Sequence, residues 1–162
     1  GSEMCIRDRL FAIDAPGGTG KTFLLCTLLD KLRKDGHIAV ATAYTGIAAI
    51  LLPGGRTLHS RMKLPIDGLT EKTILPITGH KNATRKLFEE TELLIIDEVT
   101  MTERKMFLAI DRTLQEIRDN RKPFGGITVV VSGDWRQTLP VIQKANRAFF
   151  INIYFRINFA CI

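Results

Sequence analysis

The stretch IDAPGGTGKTF, Ile13 to Phe23, matches the phosphate-loop pattern G-x-x-x-x-G-K-[ST] at every fixed position but the first, where Ala15 replaces glycine. Such a loop holds phosphate because successive backbone N–H groups converge on its oxygens and the following helix adds the partial positive charge of its N-terminus. Gly17, Gly18, Thr19 and Gly20 would wrap the phosphates, Lys21 would reach the β and γ positions, and the Thr22 hydroxyl would ligate Mg²⁺. The alternative is a glycine-rich strand-to-helix turn with no ligand. Ala15 stands where the loop leaves the strand, ahead of the wrapping residues, and is the least costly replacement for glycine there if its φ stays negative.

Two acids further along supply what the loop lacks. Asp97 and Glu98 close the apolar run ELLIIDE, and Mg²⁺ takes carboxylate and water oxygens, so Asp97 at the end of a buried strand is placed to hold the ion through water. Glu98 can then serve as general base, orienting the water that attacks the γ-phosphate. The plainer reading is a pair of solvated acids opening a loop. A third polar cluster, SGDWRQTLPV from Ser132 to Val141, reads by itself as a polar turn with Trp135 as a core anchor.

These residues need a frame that brings them together, and the order of elements supplies one. Short apolar runs alternate with helical patterns: strands at Leu10 to Asp14, His37 to Ala43, Glu92 to Glu98 and Ile127 to Asp134, and helices at Lys21 to Lys34, Gly46 to Leu52, Leu58 to Leu64, Ala83 to Glu90 and Thr102 to Asn120. This is the pattern of a parallel sheet covered by helices, an α/β fold, whose ligands sit beyond the carboxyl ends of the strands. In the first long helix Phe23, Leu24, Leu25, Leu28, Leu29 and Leu32 are expected inside; in the last, Phe107, Ile110, Leu114 and Ile117 form one stripe, and Thr102 is the expected cap. Residues 66–80 hold Gly68, Pro76 and Gly79, show no period and read as loop.

Composition narrows the class. The 162 residues are 45% hydrophobic and 25% charged, an ordinary globular balance that predicts one core, and 23 Lys+Arg against 17 Asp+Glu give a net charge of +6 that attracts phosphates. Cys5, Cys26 and Cys161 are far apart, with no metal-ligand spacing, which points to a reducing compartment and away from zinc or disulfides. No apolar run of about eighteen residues exists to span a membrane. Gly1 to Arg9 shows neither a signal peptide nor a helix or strand pattern and reads as a scar or artefact; Ala148 to Ile162 is aromatic and β-branched and reads as aggregation-prone or half-buried.

Taken together, APGGTGKTF, TGIAAILLPGGRTLHSRMKLPI, LLIIDEVTM and PFGGITVVVSGDWRQTLPVI resemble the first RecA-like domain of the petite-integration-frequency (PIF-type) DNA helicases, a group that moves five-prime to three-prime on single strands and includes the helicase parts of rolling-circle transposons. The resemblance spans residues 10–147. It implies a P-loop NTPase that binds ATP and Mg²⁺ and couples hydrolysis to translocation on single-stranded DNA and unwinding at duplex junctions, in DNA repair, recombination and telomere maintenance. It also implies that Gln137 senses the γ-phosphate, that Thr45, Gly46, Thr57 and His59 lie on or near the strand-binding face, and that residence is nuclear or mitochondrial in a eukaryote. From the residues alone, Thr45 reads as a helix cap, Gly46 as a close-packing position and His59 as a surface or core histidine. Arg56, Arg61 and Lys63 would add charge to a strand-binding face, although no aromatic residue lies between them. Ala15 and Ser132 stand where the family usually has glycine, and Trp135 where it usually has phenylalanine. The second RecA-like domain, with its arginine finger, and the upstream adenine-reading segment have no counterpart here. This implies an incomplete helicase core, a fragment or the product of a truncated gene, with a noncatalytic nucleotide-dependent DNA-binding module as the alternative. A small-molecule kinase shares the loop but not the Asp97–Glu98 pair or the Gln137 motif.

Overall fold

A computed structural model describes residues 3–7, 9–70 and 72–134; the side chains of residues 3–7 are outside that description. Its centre is a six-stranded sheet of order β1-β2-β6-β5-β3-β4, formed by β1 (Glu3–Arg7), β2 (Leu10–Asp14), β3 (Ile38–Ala43), β4 (Arg56–Thr57), β5 (Thr91–Asp97) and β6 (Thr128–Gly133). Strands β2 to β6 run parallel, and β1 pairs antiparallel with β2, Glu3 opposite Asp14 and Arg7 opposite Leu10. The expectation that the first nine residues carry no strand is therefore corrected. Their sequence has no clear period because a strand at this edge draws its order from pairing with β2.

The central strands are apolar on both faces because both faces are covered. On β5 and β6, Leu94, Ile96, Val129 and Val131 enter one cluster with Phe107, Ile110 and Leu114 of α5 (Arg104–Ile117) and Phe88 of α4 (Ala83–Glu90). Their neighbours Leu93, Ile95 and Val130 face the opposite side and pack with Leu25 and Leu29 of α1 (Lys21–Lys34). The period-2 alternation of strand side chains thus divides the core into two layers.

Helix α1 has the expected limits but buries less than its composition implies. Only Leu25 and Leu29 are buried, while Phe23 is 78% and Leu24 44% exposed. A helix lying on a sheet covers one stripe, and residues 23 and 24 fall outside it. The expected stripe of α5 is buried throughout, but the helix begins at Arg104 after Glu103, not at a Thr102 cap, and ends at Ile117 rather than Asn120. Two further helices, α2 (Gly46–Leu51) and α3 (Leu58–Met62), are capped at their starts by Thr45 and Thr57. No described helix is long and apolar enough to cross a membrane.

Candidate active site

The carboxyl ends of β2, β5 and β6 open into one cleft of about 560 Å³, lined by Gly17, Gly18, Gly20, Lys21, Thr22, Asp97, Glu98, Gly133 and Asp134, with Ile47, Ala48 and Leu51 of α2 and Thr100 and Met101 as its less polar walls. The three polar clusters read from the sequence meet here as far as Asp134. Trp135 and Gln137 lie outside the described residues.

The loop has the shape its glycines allow. Gly18 and Gly20 take φ of 76° and 87°, a region L side chains rarely enter, and Gly20 leads directly into α1. Ala15 is buried and keeps a negative φ, and its amide donates to the Gly133 carbonyl at 3.2 Å, so the replacement of glycine causes no backbone strain. The Lys21 ammonium donates to the Ala15 carbonyl at 2.5 Å, folded back along the loop. A triphosphate entering the cleft would offer it a stronger, charge-assisted acceptor. The Thr19 hydroxyl donates to the Pro16 carbonyl at 2.7 Å and so helps to hold the turn.

The two acids are held from opposite sides. Asp97 is the last residue of β5 and is buried; its Oδ1 accepts the amide of Glu98 at 2.9 Å and the hydroxyl of Ser132, which belongs to the adjacent strand β6. Glu98 has left the strand in a left-handed conformation, φ 55° and ψ 37°, and its Oε2 accepts both the Thr45 hydroxyl at 2.5 Å and the Thr45 amide at 3.2 Å from the end of β3. Oxygen donors are what a hard cation such as Mg²⁺ requires. Thr22 and Asp97, which line the cleft with Lys21, carry such oxygens and fit that need.

Thr45, Gly46, Thr57 and His59 gather at the carboxyl ends of β3 and β4, where Ala43 pairs with Thr57 and the His59 ring meets the Tyr44 ring edge-on with centroids 5.8 Å apart. The capping role of Thr45 is real: its hydroxyl accepts the Ala48 amide at 3.3 Å, as that of Thr57 accepts Ser60 at 3.2 Å. Close packing does not explain Gly46, since a Cβ there would meet nothing within 4 Å and its φ is not positive. The face is basic at its edge. Burial, followed by the nearby Arg56 and Arg33 charges, pushes the Arg61 guanidinium below its ordinary value. Neither the Ser132–Asp97 bond nor the Thr45–Glu98 pair was read from the sequence, because each joins residues brought together only by strand order; the polar run at Ser132 was the available signal for the first.

The profile of the PIF1-like helicase family matches residues 3–158, taking in the N-terminal strand and running past Arg147, the limit read from the motifs. The chain is 40% identical over 125 residues to the ATP-dependent DNA helicase Pif1 of Psychrobacter sp. (strain PRwf-1), covering 76% of this chain and 19% of that protein. It is 35% identical over 126 residues to the human ATP-dependent DNA helicase PIF1, again 19% of the relative's length and 78% of this chain. Among solved structures, Pif1 helicase from Bacteroides in complex with ADP-AlF3 and ssDNA superposes with a TM-score of 0.70 at 34% identity, over 91% of this chain and 33% of that one. The chain thus spans about a fifth of these two curated relatives. With the family profile matched over nearly its whole length on a sheet that superposes on Pif1 structures, the chain belongs to the PIF1-like helicase family.

Proposed function

We propose that this chain is the ATP-binding and hydrolysing part of a five-prime to three-prime DNA helicase, acting with a second RecA-like domain on single strands and duplex junctions. The observation that carries this reading is that Lys21, Thr22, Asp97 and Glu98 line one cleft. In this reading the amides of residues 17–20 and the Lys21 ammonium bind the triphosphate, and Thr22 and Asp97 hold Mg²⁺, which when bound neutralises charge building on the transferred phosphoryl group. Glu98 orients water and takes its proton. Gln137 reports the γ-phosphate, and Thr45, Gly46, Thr57 and His59 contact the strand. DNA repair, recombination and telomere maintenance in the nucleus or mitochondrion are the settings that the family reading supports.

Two substitutions separate binding from chemistry. Lys21→Ala removes the side-chain cation of the loop and is expected to weaken Mg-ATP binding in calorimetry; unchanged affinity would sink the loop's assignment. Glu98→Gln keeps the shape but removes the base, so binding persists while hydrolysis stops, and equal turnover by both proteins removes Glu98 from its role. The arginine finger of such motors is worth about 10³ to 10⁵ in rate. In this reading a second domain supplies it, so these 162 residues expressed alone are expected to hydrolyse ATP slowly and to separate no strands; robust turnover by that purified monomer would refute the placement.

A further inference from the structure

Thr45 makes an arrangement that a helix cap does not require. Capping α2 needs one hydroxyl lone pair, and the Ala48 amide uses it at 3.3 Å. The hydroxyl proton and the backbone amide of the same residue are then both directed at one oxygen of one acid, Glu98 Oε2, at 2.5 and 3.2 Å. Glu98 comes to them by an uncommon route, its backbone left-handed and its own side chain making no cap bond to the 3-10 turn, Val99–Met101, that it begins. Thr45 is itself held: its carbonyl accepts the Ala49 amide at 3.1 Å, and the preceding amide, Tyr44, donates to the Asp97 carbonyl at 3.1 Å, which joins the ends of β3 and β5.

We propose that Thr45 is a positioning residue for hydrolysis. It pins Oε2 of Glu98 so that Oε1, which has no partner among the described residues, is presented to the attacking water. The inference rests on the reading of Glu98 as the base. In the step it serves, the water oxygen bonds to the γ-phosphorus as the bond from that phosphorus to the β,γ-bridging oxygen breaks; the electron pair leaves with ADP, and the water proton passes to Oε1. Two donors on one carboxylate oxygen remove the rotation that would otherwise spread Oε1 over several directions. Misplacement of a reacting group by about 1 Å costs roughly 10²-fold in rate.

The test is single-turnover hydrolysis with protein in excess over ATP, run beside nucleotide calorimetry and thermal unfolding, on wild type, Thr45→Val, Thr45→Ser, Glu98→Gln and the Thr45→Val/Glu98→Gln double variant. Thr45→Val keeps the shape and loses the hydroxyl, so its rate constant is expected to fall by about tenfold to a hundredfold with nucleotide affinity unchanged. Thr45→Ser restores most of the rate. Thr45→Val lowers the unfolding midpoint in either background, since the cap is lost in both, whereas the Glu98→Gln background retains no hydrolysis for it to slow. A role in capping alone would lower the midpoint and leave the wild-type rate constant intact, which would overturn the inference. So would a rate that rises in Thr45→Val. A Glu98→Gln protein as fast as wild type, or a wild type with no hydrolysis at all, would overturn the active-site reading and this inference with it. Independently of nucleotide, the unfolding shifts of Thr45→Val and Glu98→Ala are expected to be non-additive; strict additivity would show that the two side chains do not hold one another.

Discussion

Gly46 is the position where stability and the proposed strand binding pull in opposite directions. It opens α2, its φ is not positive, and a Cβ added to it would meet no atom within 4 Å, so nothing inside the molecule demands glycine. Gly46→Ala would reduce the freedom of the unfolded chain and is expected to stabilise the fold by about 0.4–1 kcal/mol. For a domain of this size each kcal/mol moves the midpoint by about 2–4 °C, giving a rise of about 1–4 °C in a thermal scan. If a DNA strand runs against this face, the same methyl stands where the strand must approach, and overpacking of that kind costs about 1–3 kcal/mol. At the lower end this is about a fivefold weaker affinity for single-stranded DNA, measurable by fluorescence anisotropy at low salt. A stabilised protein with unchanged affinity would remove Gly46 from the strand-binding face. A destabilised protein would refute the open space from which the reasoning starts.

Ser132→Ala is expected to raise the Mg²⁺ concentration needed for tight nucleotide binding by about tenfold or more, because it takes away a donor that holds the Asp97 carboxylate beside the Glu98 amide; an unchanged Mg²⁺ titration would count against Asp97 as the ion's holder. Burial pushes the Asp111 carboxyl above its ordinary 3.8, against the opposing pull of the Phe124 amide, Gln115 and Arg112. A raised folded value means that its stabilising contribution is complete in acid, below the unfolded value, and is lost as pH rises through the folded value. Asp111→Asn should therefore gain on wild type in midpoint as pH is raised from about 3 towards neutrality, and a pH-independent gap between the two would contradict this.

How much of this was legible depends on the range of the forces involved. Helix α1, Lys21–Lys34, and α4, Ala83–Glu90, have the limits read from periodicity because their signals lie within a turn or two of the residues concerned. The buried stripe of α5 follows for the same reason. By contrast, β4 is only Arg56–Thr57, and it is a strand solely because Thr42 and Ala43 of β3 pair with it. Phe23 and Leu24 show the limit of composition: they are apolar and helical, yet which face of α1 meets the sheet is decided by Leu25 and Leu29 packing on Ile95 and Val130. In the site, the loop and the two acids were legible as local patterns. The hydroxyls that hold those acids were not, since Thr45 and Glu98 lie 53 residues apart and Ser132 and Asp97 lie 35 apart.

That division has a mechanical consequence for how a strand could influence hydrolysis. Strand β5 lies between β6 and β3, and each neighbour supplies one hydroxyl: Ser132 of β6 to Asp97, and Thr45 at the end of β3 to Glu98. The residues read as strand-binding all sit on the β3 side, in or beside α2 and β4, whereas the phosphate loop follows β2 on the far side of β6. DNA seated on the β3 face would therefore bias the donor on Glu98, the proposed base, directly, but would reach the loop and Asp97, the proposed metal ligand, only through the β5–β6 pairing. A ligand shifts an equilibrium only by its differential contact with the two states. Single-stranded DNA is accordingly expected to alter the rate constant of hydrolysis while leaving the calorimetric affinity for Mg-ADP within about twofold, a coupling below roughly 0.4 kcal/mol. The comparison is a nucleotide titration with and without saturating oligonucleotide, beside single-turnover hydrolysis under the same two conditions. A large change in Mg-ADP affinity with no change in rate would reverse the assignment and place the link on the β6 side, through Ser132 and Asp97.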